Sequence, residues 1–566
     1  MSENKTIDCL FIGHNEMDFR DYEKEIRKMG RASGAFRDLN LNYINYNDAP
    51  YTASDIFNLF YLDCDDPGDR STEERKAVSL DENFNAAIAY LGTFLDRRNL
   101  TFDYVNTFQG HKDELAQKLQ NENIRTIAIV TTLYVSIFPI LEIMQFIKKH
   151  NSSAAVIIGG PFIATQVRGM DFISLEYLFK YIGADFYVNS SQGEAALVDI
   201  IRALKQNAPT VGIPNIYYRD GDRYIATSVQ EENNDLSQNM VNWNLFADRL
   251  EEYASARTAI SCPFRCSFCG FPEHAGPYRP AAVEPVRDEL NTLGKIESLK
   301  SVNFIDDTFN VPPNRFKEIL RFLKDSPFSF KWNSHFRCQF ADRETVELMK
   351  ESGCEGVFLG IESGSDRILK NMNKNASVEK YLKGIRLLKE YDILTFGSFI
   401  IGFPGETDET VRETVSFIKE GGLEFFRTQL WYCDTLTPIW KKKDEYDIRG
   451  SQFEWSHATM DSKRASDIVE DIFMSVEDPV WVPQYNFECD GLFKILHRGF
   501  SMEEVKNFLK NFNRGVKEKL SNPSQKEISK DLALQMQNIC RRSPHSSRST
   551  EPTPSRNKQE YMDFDF

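Results

Sequence analysis

Ser261-Cys262-Pro263-Phe264-Arg265-Cys266-Ser267-Phe268-Cys269-Gly270 is the stretch that decides the fold, because it carries three cysteines in the spacing C-x₃-C-x₂-C. An iron–sulfur cubane takes four protein ligands, so three thiolates leave one iron open. A zinc site with three thiolates normally closes with a nearby partner, and His274 lies behind a Gly-Phe-Pro turn rather than where a zinc loop requires it. A zinc knuckle and three buried free thiols remain as plainer interpretations.

This loop resembles the cluster motif of the radical SAM (S-adenosylmethionine) superfamily, including the aromatic Phe268 before the last cysteine. The resemblance implies that Cys262, Cys266 and Cys269 bind a [4Fe-4S] cluster whose open iron chelates S-adenosylmethionine. It also implies that one electron from the cluster cleaves this cofactor to a 5′-deoxyadenosyl radical. Phe268 and Gly270 are then expected to contact the cofactor.

Size and charge narrow the class of protein. A chain of 566 residues exceeds a single hydrophobic core, so about three or four domains are expected. The net charge of -16 argues against a nucleic-acid partner, because binding to a phosphate backbone relies on clustered lysine and arginine. We therefore expect a small-molecule substrate, or one that is a peptide or is bound to a carrier.

The N-terminal residues and the spacing of the cysteines favour a cytoplasmic location. The first residues run into a strand-like segment without the apolar core of a signal peptide. Outside the loop no two cysteines are closely spaced, which is typical of a reducing compartment. The most apolar stretch, residues 127–147, contains Pro139 and Glu142 and reads as a buried strand and helix, so no membrane partner is expected.

Residues 1–229 are predicted to form a doubly wound, Rossmann-like α/β domain. After an irregular insertion at 14–80, strand and helix patterns alternate from Phe84 onward. Such alternation predicts a parallel sheet whose ligand binds at the carboxyl ends of the strands. An Asp-Gly hairpin turn at Asp220 closes the domain, and residues 230–249 form a polar linker.

Small and polar residues follow these predicted strands. Glycine turns of this kind occur in most α/β domains and are weak evidence alone. Their order upstream of the cysteine loop resembles the cobalamin-binding domain of class B radical SAM methylases, which implies that they cradle the corrin and its nucleotide tail. The candidate cobalamin-binding residues are Thr131, Thr132, Gly159, Gly160, Gly193 and Glu194.

The D-x-H-x-x-G pattern of many cobalamin domains is absent. His14 follows the first strand, but position 12 is Ile instead of Asp and the downstream glycine is missing. We interpret His14 as a loop or surface histidine and expect cobalamin without a protein histidine ligand.

Residues 250–450 are predicted to form a partial (β/α)₆ barrel, counting the strand before the cysteine loop. Chemistry in such barrels lies at the carboxyl ends of the strands. Polar segments follow four of these strands in an order that resembles the cofactor-binding segments of radical SAM enzymes, although helix capping is an alternative role for either aspartate. The candidate cofactor-binding residues are Asp306, Asp307, Ser334, Arg337, Glu362, Ser363 and Gly402.

The C-terminal part is predicted to contain a helical cap and a tail. Residues 451–540 are aromatic and then helical, which suggests a small cap over the barrel mouth where substrate would be recognised. Residues 541–566 are rich in Ser, Pro and Thr and are expected to be disordered. The acidic, aromatic end at 561–566 is either a docking motif for a carrier or biosynthetic partner or an inert tail.

Two further stretches, 257–276 and 33–41, are similar to the PhpK family of radical SAM P-methyltransferases. This resemblance implies methylation of an unactivated carbon or a phosphinate phosphorus in natural-product biosynthesis. Methylcobalamin would deliver the methyl group, and a flavodoxin- or ferredoxin-type protein would donate electrons.

Three alternatives to this function remain open. One is a cobalamin-binding radical SAM cyclase or rearrangement enzyme without methyl transfer, and another is a non-enzymatic cobalamin-binding protein. A tRNA methylthiotransferase would usually bring three more N-terminal cluster cysteines and a basic RNA-binding module, and the sequence displays neither.

Overall fold

The structure is a computed structural model that describes residues 6–63, 75–134, 136–484 and 489–541. Within these ranges, no helix is both long and apolar enough to cross a membrane. The strands are β1 (Thr6–His14), β2 (Tyr43–Tyr46), β3 (Ala49–Thr52), β4 (Phe102–Thr107), β5 (Asn123–Val130), β6 (Ala155–Gly159), β7 (Phe186–Val188), β8 (Ile216–Asp220), β9 (Arg223–Ala226), β10 (Tyr253–Ala256), β11 (Ala259–Ile260), β12 (Arg279–Pro280), β13 (Ser301–Phe304), β14 (Lys331–His335), β15 (Cys354–Glu362), β16 (Leu394–Ile401), β17 (Phe425–Leu430), β18 (Arg449–Ser451), β19 (Glu454–His457), β20 (Met460–Asp461) and β21 (Val480–Trp481). The helices are α1 (Phe19–Lys28), α2 (Gly34–Asn40), α3 (Ala53–Leu62), α4 (Ala86–Asp96), α5 (Lys112–Asn121), α6 (Phe138–His150), α7 (Pro161–Gly169), α8 (Phe172–Ile182), α9 (Glu194–Lys205), α10 (Phe271–Ala275), α11 (Val283–Leu293), α12 (Pro313–Asp325), α13 (Arg343–Glu351), α14 (Asp366–Asn371), α15 (Val378–Glu390), α16 (Asp408–Glu420), α17 (Ser462–Ser475), α18 (Cys489–His497), α19 (Met502–Ser521) and α20 (Lys530–Arg541).

The first sheet has the strand order β4-β1-β5-β6-β7-β8-β9. Its first five strands are parallel, and the hairpin of β8 and β9 adds antiparallel strands at one edge. The interior of β1 is buried throughout, as expected for a strand covered by helices on both faces. The predicted doubly wound class is confirmed, and its topological switch point lies between β1 and β5, where α/β sheets bind ligands.

The second sheet has the order β10-β13-β14-β15-β16-β17-β21, with parallel pairing throughout. Its first six strands are the six predicted from the sequence, so the partial barrel is confirmed. Trp332 on β14 packs between Phe309 and Phe316 on the helical side of the sheet. Because side chains alternate along a strand, Asn333 and His335 face the barrel interior.

Helix α18 lies at a different end of the barrel from the one predicted for the C-terminal cap. The ring of Phe493 on α18 packs directly on Gly356 at the start of β15. His497 Nε2, also on α18, lies 2.7 Å from Glu355 Oε2. Both contacts are at the amino ends of the strands, so the predicted position over the mouth is wrong for α18. The apolar face of this helix closes the barrel floor.

The mouth is instead walled by the small sheet of β18, β19 and β20. The indole of Trp455 on β19 packs against Gly402, which follows β16 and has a φ of +93°. His457 Nε2 lies 3.0 Å from the carbonyl oxygen of Gly402. These contacts fix the segment after β16 at the carboxyl end of the barrel.

The insertion at 14–80 is ordered over residues 19–62, so the predicted irregular structure is wrong there. Its helices and the β2–β3 hairpin pack on the C-terminal part of the chain. Lys519 Nζ donates to the carbonyl oxygens of Asn40 and Tyr43 at 2.8 and 2.6 Å, and Arg37 pairs with Asp467 at 2.7 Å. These partners are more than 400 positions away, and local periodicity cannot reveal them. The predicted tail lies beyond Arg541, outside the described residues.

Candidate functional site

The cysteine loop follows β11 and is fastened to two neighbouring segments at the barrel mouth. Ser267 N donates to the carbonyl oxygen of Met372 at 2.8 Å, and Ile439 N donates to the carbonyl oxygen of Ser267 at 2.9 Å. Ser261, at the start of the loop, has a φ of +64°. The loop is thereby held against the residues that follow α14 and β17.

Each of the three sulfur atoms lies beside a polar group. Cys266 Sγ accepts a hydrogen bond from Arg337 Nη2 at 3.0 Å, and Cys269 Sγ accepts one from Phe271 N at 3.4 Å. Cys262 Sγ lies 3.4 Å from Thr308 Oγ1. Hydrogen bonds of this kind support cluster-ligating thiolates and tune the cluster.

The three thiols are also close enough to influence one another. Burial, with additional contributions from Cys266, Asp307 and Cys262, raises the pKa of Cys269 to about 11. Among the described residues, no three His, Cys, Asp or Glu side chains are gathered tightly enough to hold one metal ion. A cuboidal cluster separates its ligands more widely than a single ion does, so this spacing is compatible with a cluster.

Arg337 lies behind the loop, against a cluster-ligand candidate. Besides its bond to Cys266, its Nη1 donates to the carbonyl oxygen of Lys374 at 3.2 Å. Its guanidinium carbon is 3.6 Å from the centre of the Phe264 ring. The sequence predicted Arg337 as a cofactor-binding residue, whereas in the structure its guanidinium donates to the cysteine loop and to Lys374.

The two predicted aspartates after β13 have different surroundings. Asp306 is buried, and its carboxylate accepts hydrogen bonds from Thr258 N, Thr258 Oγ1 and Ala259 N at 2.8, 2.7 and 2.6 Å. It therefore anchors the chain that leads into the cysteine loop. Asp307 is exposed at the mouth, where the surrounding protein and the Asp306 carboxylate raise its pKa to about 7. Of this pair, Asp307 is the one available to a ligand.

Glu362 and Ser363 are engaged by other protein groups. Glu362 has a φ of +68°, and its Oε1 accepts a hydrogen bond from Lys374 Nζ at 2.8 Å in a buried ion pair. The Lys374 ammonium in turn lies 5.4 Å from the centre of the Phe268 ring in the cysteine loop. Ser363 Oγ lies 3.2 Å from Thr414 Oγ1 on α16. Both side chains are thus held by neighbouring protein groups, and their role in binding the cofactor stays a prediction.

The remaining predicted barrel residues lie around the mouth. Ser334 Oγ is buried and has no hydrogen-bond partner among the described residues. Gly402 presents its backbone to Trp455, as described above, and Gly270 lies beside Asp434 and Thr437. His335 reaches the barrel interior beside Phe358, with ring centres 5.5 Å apart, and the surrounding protein lowers its pKa.

A large cavity of about 1060 Å³ lies at the switch point of the first sheet. It is bounded by the carboxyl ends of β1, β4 and β5 and by the insertion helices α1 and α3. His14 ends β1, Gln109 follows β4 and Leu133 follows β5, so their positions at strand ends were the sequence signal for this cavity. The lining of the cavity includes His14, Asn15, Glu16, Arg20, Asp55, Asn58, Asp81, Gln109, Leu133 and Tyr134.

The predicted loop residues of this sheet lie at adjacent strand ends and do not line the cavity. Thr131 N and Oγ1 both donate to the carbonyl oxygen of Gly159, at 2.9 and 2.8 Å. Gly160 and Gly193 directly precede α7 and α9, with φ of +111° and +84°. The Glu194 carboxylate is buried and accepts a hydrogen bond from Asn234 Nδ2 at 2.9 Å, and burial raises its pKa. Thr132 is exposed beyond β5.

The cavity is acidic and carries a neutral imidazole. Burial and the carboxylates of Asp55 and Asp81 raise the pKa of Glu16 to about 7. Burial lowers the pKa of His14 to about 4, so this side chain is uncharged at neutral pH. Its ring lies 5.3 Å from that of Tyr134, centre to centre. Such a lining suits a large ligand with many hydrogen-bond donors better than a polyanion.

Residues 258–418 match the family model of the Radical SAM superfamily. This match includes the three cysteines and the strand-end segments of the barrel. The chain therefore carries a radical SAM domain, as predicted from the cysteine loop. A domain of this family implies a [4Fe-4S] cluster and S-adenosylmethionine, and the three thiols at the mouth are suitable ligands for the cluster.

Two relatives extend the similarity beyond the barrel. An uncharacterised methyltransferase of Pyrococcus horikoshii is 26% identical over 345 residues, which cover 56% of this chain and 72% of the relative. The anaerobic magnesium-protoporphyrin IX monomethyl ester cyclase of Cereibacter sphaeroides is 27% identical over 385 residues, covering 64% of this chain and 61% of the cyclase.

A solved structure shares the architecture. The cobalamin-dependent S-adenosylmethionine radical enzyme OxsB, with aqua-cobalamin bound, superposes with a TM-score of 0.54 at 14% sequence identity. The match covers 81% of this chain and 76% of OxsB. It supports the shared fold of a Rossmann-like sheet joined to a radical SAM barrel.

Proposed function

We propose that this chain is a cobalamin-dependent radical SAM methyltransferase that methylates an unactivated carbon or a phosphinate phosphorus of a natural-product intermediate. The observation that carries the proposal is the pairing of a three-cysteine barrel mouth with a second parallel sheet that has a large cavity at its switch point. The relative named as a methyltransferase and the cobalamin-bound OxsB support it.

The residues at the mouth are suited to holding a cluster and its substrate. Cys262, Cys266 and Cys269 would hold three irons, and Arg337 supports the second of these thiolates. Asp307, whose carboxylate is exposed at the mouth, would accept hydrogen bonds from the amino group of S-adenosylmethionine. The positive charge of S-adenosylmethionine would favour the ionised form of Asp307. When bound, the cluster supplies the electron that cleaves S-adenosylmethionine, and cobalamin supplies the methyl group.

The first sheet is suited to holding a corrin. A cavity of about 1060 Å³ is at the upper end for cofactor sites, which commonly measure about 300–1000 Å³. Polar side chains of the lining, such as the carboxyl of Glu16 and the amide of Gln109, can pair with the many amide groups of cobalamin. Arg20 is positioned in the lining for its single phosphate. We propose that Thr131, Thr132, Gly159, Gly160, Gly193 and Glu194 shape the adjoining rim rather than this cavity.

The test is methyl transfer with labelled cofactor. Protein reconstituted anaerobically with iron, sulfide and cobalamin is supplied with S-adenosylmethionine carrying a deuterated methyl group and with candidate phosphinates and carbon acceptors. We expect a product heavier by one labelled methyl group, together with S-adenosylhomocysteine and 5′-deoxyadenosine. Cofactor cleavage without labelled product from any acceptor would count against methyl transfer.

A cyclase without methyl transfer is the second candidate, and similarity to the protoporphyrin cyclase favours it. The same assay separates the two functions. A cyclase would form 5′-deoxyadenosine and a ring-closed product, with neither a labelled methyl group in the product nor S-adenosylhomocysteine. The resemblance to P-methyltransferases remains a prediction about the substrate.

A further inference from the structure

A cluster of exposed cations surrounds the outer side of the cysteine loop. We call it the loop-side basic surface, and it consists of Arg265, Lys370, Lys441, Lys442 and Lys443. Among the described residues, none of these five side chains forms an ion pair, although the Lys443 ammonium lies 5.5 Å from the centre of the Trp440 ring. The charge of this group is opposite to the net charge of the chain, which is -16.

Direct contacts place this surface on the cysteine loop. Asn373 Nδ2 donates to the carbonyl oxygen of Arg265 at 2.7 Å, and Ser267 Oγ donates to that of Asn371, the residue after Lys370, at 3.1 Å. Ile439, two residues before Lys441, bonds to Ser267 on the same loop. The surface therefore lies on the segments that hold the loop in which Cys266 is buried.

Some acidic groups adjoin the surface and reduce its charge. Asp444 and Glu445 follow the three lysines and are exposed. Asp366 lies before Lys370, where its Oδ1 accepts a hydrogen bond from Val378 N at 2.8 Å. Five cations against these three carboxylates leave the surface positive, and attraction between oppositely charged surfaces speeds association and fixes orientation.

We propose that the loop-side basic surface binds a small acidic one-electron carrier protein, which reduces the cluster from this side. The inference rests on the proposed cluster and names where its electron enters. One electron passes from the carrier to the cluster: the carrier is oxidised by one electron, and the cluster changes from the 2+ to the 1+ state. No proton transfer or further reactant is required.

The test compares two charge-reversal variants of the holoenzyme with reduced flavodoxin as the probe. Lys441→Glu/Lys442→Glu reverses two charges on the surface, and Lys148→Glu/Lys149→Glu reverses two exposed charges at the end of α6 as a matched control. We measure the Kd for oxidised flavodoxin and the rate of cluster reduction by reduced flavodoxin. The surface variant is expected to bind oxidised flavodoxin on the order of tenfold more weakly than the original chain. The Kd of the control variant should stay within about twofold of that of the original chain.

Salt and a small reductant complete the test. The difference between the variants should shrink between about 0.05 and about 0.5 M ionic strength, because screening weakens exposed charges. Reduction by dithionite, which needs no docking, should be equal in all three proteins. Flavodoxin binding and reduction that are unchanged in the surface variant would overturn the inference while leaving the proposed function intact. Failure of the original chain to form a cluster would overturn both.

Discussion

At the scale of single residues, Arg337 connects the sequence motif to the geometry of the site. Its guanidinium donates to Cys266 Sγ and stacks on Phe264, so one side chain fixes two positions of the cysteine loop. A hydrogen bond from a cation stabilises the more negative state of a cluster, which is the reduced state. We therefore propose that Arg337 positions and tunes a cluster ligand.

Replacing Arg337 tests this role. Arg337→Gln should lower the reduction potential of the reconstituted cluster by on the order of tens of millivolts, since the charged donor to Cys266 is lost. Arg337→Lys should recover part of the shift. The measurement is a redox titration followed by electron paramagnetic resonance. Arg367→Gln, which removes an exposed bond to Thr407, serves as the control. Equal potentials in Arg337→Gln and the original chain would contradict the role.

Glu289 gives a prediction for pH dependence. This carboxyl is buried and accepts a hydrogen bond from Trp243 Nε1 at 2.9 Å, and burial raises its pKa to about 7. Between the ordinary glutamate pKa and pH 7 the folded state binds more protons than the unfolded state, so stability falls as pH rises through this window. The loss amounts to at most about 3 kcal/mol.

The measurement is urea unfolding at about pH 5, near the lower end of that window, and at about pH 8, above it. Glu289→Gln stays neutral and should be relatively more stable than the original chain at the higher pH. Other carboxyls with raised pKa values, such as Glu406, contribute equally to both proteins and cancel in the comparison. A stability difference that does not change with pH would refute the prediction.

At the scale of elements, α18 shows how the floor of the barrel is closed. Phe493 is buried against Gly356, and His497 reaches Glu355 at the same end. The helix covers the amino ends of the strands, whereas the candidate chemistry lies at their carboxyl ends. Disturbing α18 should therefore change stability without changing the site.

Phe493→Ala separates these effects. Loss of this buried ring should reduce the free energy of unfolding by about 3–5 kcal/mol. Reconstituted protein that is still folded should keep the iron content of the original chain. Leu534→Ala, at an exposed position of α20, should change stability by less than about 0.5 kcal/mol. Normal stability with loss of iron would instead place α18 at the mouth.

The elements also indicate what sequence patterns can reveal. The six barrel strands were predictable because each combines an apolar run with a polar end. β21 spans only two residues and leaves no periodic signal. Helices α1 to α3 depend on partners near the other end of the chain. The separate roles of Asp306 and Asp307 depend on which carboxylate meets Thr258, and no spacing in the sequence encodes that contact.

At the scale of the whole molecule, two parallel sheets each place candidate ligands at the carboxyl ends of their strands. The insertion and the C-terminal helices pack together, so segments from the first and last parts of the chain form one packed unit. The central claim is that this framework holds a cluster with one open iron and a corrin in a single chain.

Metal and corrin analysis of anaerobically reconstituted protein tests that claim most directly. The original chain should bind about four irons and four sulfides and should show corrin absorbance after gel filtration. Cys266→Ala should lose the iron and the cleavage of S-adenosylmethionine while retaining the corrin. Original chain that binds neither iron in this amount nor corrin, or a Cys266→Ala variant that still cleaves S-adenosylmethionine, would contradict the account.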